Sequence, residues 1–362
     1  MNKSYAILIV VISMIFSFSG CPTDTGGGGG GGGPAVTIYT AGWDSHSPGV
    51  GHTNYPCYWI NDEETPISTS STGLNASDSA NSIFLYEGTV YTAGTLTPSF
   101  SGAYSTACYW TGTTRTDLTV VPSHASYAGS IFVSGGIVYT SGCYDNGTTY
   151  VPCYWTDAVV TDLPGSTLSH SASASSIYVS EGTIYTSGDY WDGSTYVACY
   201  WSGTTKTDLP GVGSDYSSAN SIFVASGTVY TAGYTGDGAV RIPCYWIGTT
   251  RTVLPFSGLW AVDTGAYSIS VYGGKVYTAG AYWNGTQYIA CYWIDTTRTD
   301  LPCGTYAGFA YSITVVGGKI YTAGYYSSGA GSIPCYWIGT IRHDIPYTGN
   351  NYNALAKSIF VQ

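Results

Sequence analysis

Five histidines are the side chains of this chain that titrate near neutral pH unaided, and two of them recur at one place in a pattern. His124 and His170 each stand six residues ahead of a Ser-Ile pair, Ser130-Ile131 and Ser176-Ile177, and Asp215 takes the same place ahead of Ser221-Ile222. If the fold sets these stations side by side, two imidazoles and a carboxylate could hold a metal or work as acid and base in a hydrolase. The equivalent stations elsewhere carry Ala76, Val262, Tyr306 and Tyr352, which fits a plain exposed loop position as well. Nothing in the sequence calls for a cofactor or a resident metal. Asn146-Gly147, Asp192-Gly193, Asp237-Gly238 and Asn284-Gly285 lack the alternating oxygen ligands of a calcium loop and read as tight turns.

The second chemistry on offer is aromatic. Trp43, Trp191 and Trp283 follow one recurring strand word, and Trp260 lies in a connecting segment. Tyr144, Tyr190, Tyr234, Tyr282 and Tyr325 occupy related positions among Asp, Asn and Ser. Rings next to hydroxyl and carboxylate groups stack on sugar faces or anchor a protein partner, and the same rings could instead seal the ends of strands against water.

The elements that must position these groups come from a repeat. Cys-Tyr-Trp occurs seven times, at Cys57, Cys108, Cys153, Cys199, Cys244, Cys291 and Cys335, at intervals of 44 to 51 residues. Three more words share the period: Ser-Ile-Phe-Val, Val-Tyr-Thr-Ala-Gly and Thr-Arg-Thr-Asp-Leu-Pro, as at 221–224, 229–233 and 297–302. Each is rich in β-branched and aromatic residues and bounded by Gly or Pro, so each reads as a short strand. Four strands per period predict an all-β, seven-bladed β-propeller over 35–362. The first repeat lacks its Ser-Ile-Phe-Val word, and Ser358-Ile359-Phe360-Val361 supplies it at the end of the chain. The last strand should therefore complete the first blade and close the ring.

The repeated aromatics are expected to pack between blades. The repeat cysteines are expected as free thiols, because sevenfold neighbours in a third strand would lie roughly 13 Å apart, beyond disulfide reach. Arg115, Lys206, Arg251, Arg298 and Arg342, four of them with Asp two residues on, should line an outer edge and discourage sheet-to-sheet association. In an up-and-down blade the loops joining words two to three, and four to the next one, share a face. These loops vary in length and type, and all four extra tryptophans fall there, so that face is the expected recognition surface.

Charged residues make up 9% of the chain and the net charge is −11, with basic residues scattered singly. This excludes a cationic track for nucleic acid. Met1-Asn2-Lys3, the apolar run from Ala6 to Phe18 and Ser19-Gly20 make a secretory signal over 1–20. Phe18-Ser19-Gly20-Cys21 resembles the bacterial lipobox, which implies lipidation at Cys21 and a membrane contact through the lipid alone. The segment 21–34, with eight consecutive glycines, reads as a tether of about 20 Å reach.

The Gly-Gly ahead of a strand, as at Gly273-Gly274-Lys275-Val276-Tyr277 and Gly317-Gly318-Lys319-Ile320-Tyr321, resembles kelch-type propellers, although the repeated Trp stands in the third strand and the second glycine pair is missing. More broadly the chain is similar to repeat-built surface lipoproteins of bacteria. That resemblance implies a place on the outer membrane or cell surface; with the aromatic face, the chain is expected as a monomer that binds a glycan or protein there, or as a structural surface component.

Overall fold

The computed structural model describes residues 36–46, 53–67, 77–98, 102–165, 171–211, 215–237, 240–256, 264–348 and 353–362. The signal, Cys21 and the glycine tether lie outside the described residues, as do His52, His170 and Trp260. Twenty-eight strands form seven four-stranded antiparallel sheets. Blade one joins Ala354–Val361, Ile38–His46, Thr53–Ile60 and Glu63–Pro66, so the last strand of the chain does complete the first blade. Blades two to seven each run in chain order from the innermost strand outward. Contacts between consecutive innermost strands, including the last with that of blade two, close the ring.

Each innermost strand carries a β-bulge at one place, between the Ala and the Ser of its Ala-x-Ser segment. The bulge accounts for the glycine of Val-Tyr-Thr-Ala-Gly. At Gly188 an added Cβ would lie 1.9 Å from the carbonyl oxygen of Ser173, and at Gly233 1.9 Å from that of Ser218, so only glycine lets the bulged strand approach. The bulge also turns the repeated serine toward the next blade. Ser176, Ser221, Ser268, Ser312, Ser358 and Ser82 each accept the backbone N–H of the isoleucine in the following blade at 3.1–3.3 Å. A band of hydroxyl-to-backbone bonds thus ties neighbouring blades near the axis.

The repeated tryptophans are at most 1% exposed and fill the spaces between blades. Their indole nitrogens bond to the backbone at the repeated proline. Trp59, Trp201, Trp246, Trp293 and Trp337 donate to the carbonyls of Pro346, Pro164, Pro210, Pro255 and Pro302, each in the preceding blade. Blade two ends in Leu118-Thr119 instead, and Trp155 finds no acceptor for its indole nitrogen among the described residues. The seven repeat cysteines and Cys303 are buried and free, and Cys143 is half-buried and free. Burial pushes all seven repeat thiols well up, leaving them inert.

Candidate ligand-binding groove

Three depressions adjoin on the face that carries the variable loops. One of about 460 Å³ lies between blades three and four. A second, about 440 Å³, shares Tyr127, Cys143 and Ser173 with it and reaches blade two. A third, about 310 Å³, shares Asp189 and Tyr196 and reaches blade five. Together they make one groove across four blades, each part within the usual size of a ligand site.

The walls are aromatic and the floor is polar. Tyr127, at the start of the innermost strand Ser126–Ser134, stands 5.7 Å from Tyr150, the first residue of Tyr150–Thr156. Burial, then a hydrogen bond with Tyr127, pushes the Tyr150 phenol up to about 12. Tyr196 opens the third strand of blade four, and Trp191 packs edge-on against it at 5.2 Å. In blade five Tyr216 meets Tyr234 edge-on at 5.9 Å, and the Arg241 guanidinium lies 4.3 Å over Tyr234. On the floor, Asp189 accepts from the Ser218 hydroxyl at 2.6 Å. Burial raises the Asp189 carboxyl above the usual carboxylate range, and hydroxyl bonds from Ser218 and Ser173 pull against it. Cys143, in the same floor, is pushed up to about 12 by burial and stays a thiol.

The groove stops where larger residues fill the same space. The bulge residues of blades two to five are Asn81, Gly129, Ser175 and Asn220, whereas Tyr267, Tyr311 and Lys357 occupy the position in blades six, seven and one. Tyr267 and Tyr311 stand 5.6 Å apart, Phe309 stacks on Tyr325 at 5.4 Å, and Tyr288 joins them 5.1 Å from Phe309. Near the axis this aromatic cluster fills blades six and seven, and a separate depression of about 230 Å³ lies at the rim between blades seven and one.

The aromatic residues picked out in sequence therefore divide. Tyr234 lines the groove, and Trp191 backs its wall through Tyr196. Tyr325 belongs to the packed cluster, Trp283 packs on Tyr288 at 5.1 Å, and Trp43 is half-buried in blade one. Tyr144, Tyr190 and Tyr282 pack against their own blades and do not line the groove. Their hydroxyls donate to Asp162, Asp208 and Asp300 of the outer strand at 2.9–3.0 Å, and Tyr326 does the same to Asp344 at 3.1 Å. The outer cations complete the brace: Lys206 sits over Tyr190, and Arg298 and Arg342 lie 3.9 Å over Tyr282 and Tyr326. The cause is strand alternation, since these tyrosines stand two residues past the glycine and face away from the groove, whereas Asp189 and Tyr234 stand one past it.

His124 is not aimed into the groove. Its Nδ1 lies 3.4 Å from Asp145 and its ring stacks on Tyr104. Asp215 is half-buried just ahead of the innermost strand of blade five, and neither residue lines the groove. Among the described residues no three His, Cys, Asp or Glu side chains gather as metal ligands. Three of the Asn-Gly and Asp-Gly loops are turns, the Asn146, Asp192 and Asn284 side-chain oxygens each accepting two backbone N–H groups within their own loop, and Gly238 of the Asp237-Gly238 loop lies outside the described residues. The groove residues missed in sequence were Tyr127, Tyr150, Tyr196, Tyr216, Asp189 and Arg241. The available signal was that Tyr150 and Tyr196 open the third strands of adjacent blades.

Topology and groove define the class: a seven-bladed β-propeller with an asymmetric, loop-bearing face. No protein-family model matches the chain, and no curated protein does. Among solved structures it is similar to the computationally designed Ika8 protein, at 12% identity and a TM-score of 0.43 over 89% of this chain and 96% of that one. It is also similar to the RS223 β-xylosidase, at 15% identity and a TM-score of 0.32 over 62% and 93%. A third similarity is to the Pyrococcus horikoshii acylaminoacyl peptidase, at 10% identity and a TM-score of 0.47 over 86% of this chain and 51% of that one.

Proposed function

We propose that this propeller is a non-enzymatic binding or adhesion protein that recognises a carbohydrate in the groove of blades two to five. In this reading it is a monomer held to a bacterial membrane by a lipid on Cys21 and displayed on the glycine tether. The observation that carries the reading is the groove itself: Tyr127, Tyr150, Tyr196 and Tyr234 around a floor of Asp189, Ser173, Thr95 and Asn81. Tyrosine faces suit the C–H face of a sugar ring, and carboxylate, amide and hydroxyl groups suit its hydroxyls. A concave trough fits a run of sugar rings better than it fits a folded protein surface, which favours the glycan among the two partner classes.

The test is a glycan array and a matrix-protein array probed with the chain carrying Cys21→Ser, beside the same chain with Tyr127→Ala and Tyr196→Ala. A glycan signal lost in a double variant that melts like its parent supports the reading. A glycan signal unchanged by the double variant, or binding to proteins alone, refutes it. Release of the full chain from membranes by Cys21→Ser tests the anchor separately.

A further inference from the structure

The axis of the ring holds a cavity of about 180 Å³ that adjoins the groove, lined by two residues from every blade: the bulge residue and the serine after it. Six of these serines use an Oγ lone pair to accept a backbone N–H from the next blade. A hydroxyl that accepts in this way keeps its own proton to donate. The cavity is thus ringed by hydroxyl donors. No Asp or Glu lines it, although the chain as a whole carries a net charge of −11.

Lys357 is the one cation among the lining residues. Its ammonium stands 4.8 Å from the centre of the Tyr311 ring, a face that favours positive charge without neutralising it. Burial lowers its pKa, and no Asp or Glu stands among the residues that line the cavity with it. A half-buried ammonium that meets no carboxylate among the described lining residues is costly, and placing one on the axis of an acidic protein calls for a partner.

We propose that the axial channel is a binding site for a small oxyanion, a carboxylate, sulfate or phosphate, held by Lys357 and the ring of serine hydroxyls. Charge-assisted bonds from one ammonium and several oriented hydroxyls suit such an ion. The cavity shares Asn81, Gly129 and Ser175 with the groove, so the ion is either free or the acid group of a molecule lying in the groove.

Calorimetric titration of sulfate, phosphate and acetate into the protein at fixed ionic strength decides the matter. The expected result is saturable one-site binding to the wild type, weakened at least about tenfold by Lys357→Met and unchanged by Lys319→Met, an exposed hairpin lysine. Lys357→Met removes a desolvated charge and is expected to melt no lower than the wild type, so lost binding will not reflect unfolding. Failure to saturate, or equal binding to wild type and Lys357→Met, overturns the proposal. With saturable, Lys357-dependent binding in hand, glucuronate distinguishes the sources: tighter binding than acetate, with the advantage lost in Tyr127→Ala, assigns the acid of a groove ligand, and equal binding assigns a free ion.

Discussion

Trp155 and Trp201 occupy the same station in adjacent blades, both are fully buried, and they differ in one bond. The Trp201 indole donates to Pro164 at 2.9 Å, while the Trp155 indole meets no acceptor among the described residues. Replacing each by Phe removes the same atoms, so the transfer and cavity cost is shared, about 1–2 kcal/mol. Trp201→Phe also breaks a hydrogen bond and strands the Pro164 carbonyl, adding about 1–3 kcal/mol. Trp155→Phe instead removes a buried donor that the native state leaves unpaired, which returns about 1–3 kcal/mol. Trp201→Phe should therefore destabilise by at least about 2 kcal/mol more than Trp155→Phe. Urea midpoints at matched m-values measure the difference. Thr119→Pro, which restores the repeat at that boundary, should stabilise the wild type more than it stabilises Trp155→Phe. Equal losses from the two Trp→Phe changes, or equal gains from Thr119→Pro in both backgrounds, would refute the reasoning.

Three further outcomes follow from the geometry. Gly188→Ala sets a Cβ 1.9 Å from a backbone oxygen and should cost more than about 3 kcal/mol, whereas Gly203→Ala, in a left-handed turn with no atom within 4 Å, should cost about 1 kcal/mol; thermal melts compare them. Because burial raises the Asp189 pKa, its native state holds the proton more tightly than the unfolded chain does. The stability it contributes is present below the unfolded carboxylate pKa and lost as pH rises through the native one, so Asp189→Asn should gain on the wild type as pH rises above the ordinary carboxylate range. A gap between the two proteins that does not move with pH would count against this. Deleting residues 354–362 removes the innermost strand of blade one and exposes the edge of Ile38–His46. Size-exclusion chromatography should then show association and calorimetry a broadened melt; an unchanged monomer with an unchanged melt would show that closure contributes little.

Blade number, strand order and closure were legible because each blade repeats the same local problem. Period-two alternation and Gly or Pro punctuation specify strands within a few residues, and a word missing at one end and present at the other specifies the seal. The glycine of Val-Tyr-Thr-Ala-Gly, the proline of Thr-Arg-Thr-Asp-Leu-Pro and the serine of Ser-Ile-Phe-Val were equally visible, yet their partners lie across a bulge or in the next blade. Their roles as spacer, indole acceptor and inter-blade tie emerge only from the packed ring.

The sequence by itself determined that the chain is a closed propeller of seven blades with one variable face. Tertiary structure alone decided where on that face a ligand fits. A one-residue difference past a glycine sends Asp189 into the groove and Tyr190 against Asp208, and the residue in a bulge either leaves the mouth open at Gly129 or fills it at Tyr267. Such choices depend on register and on side chains from neighbouring blades some 45 residues apart, which no local pattern contains.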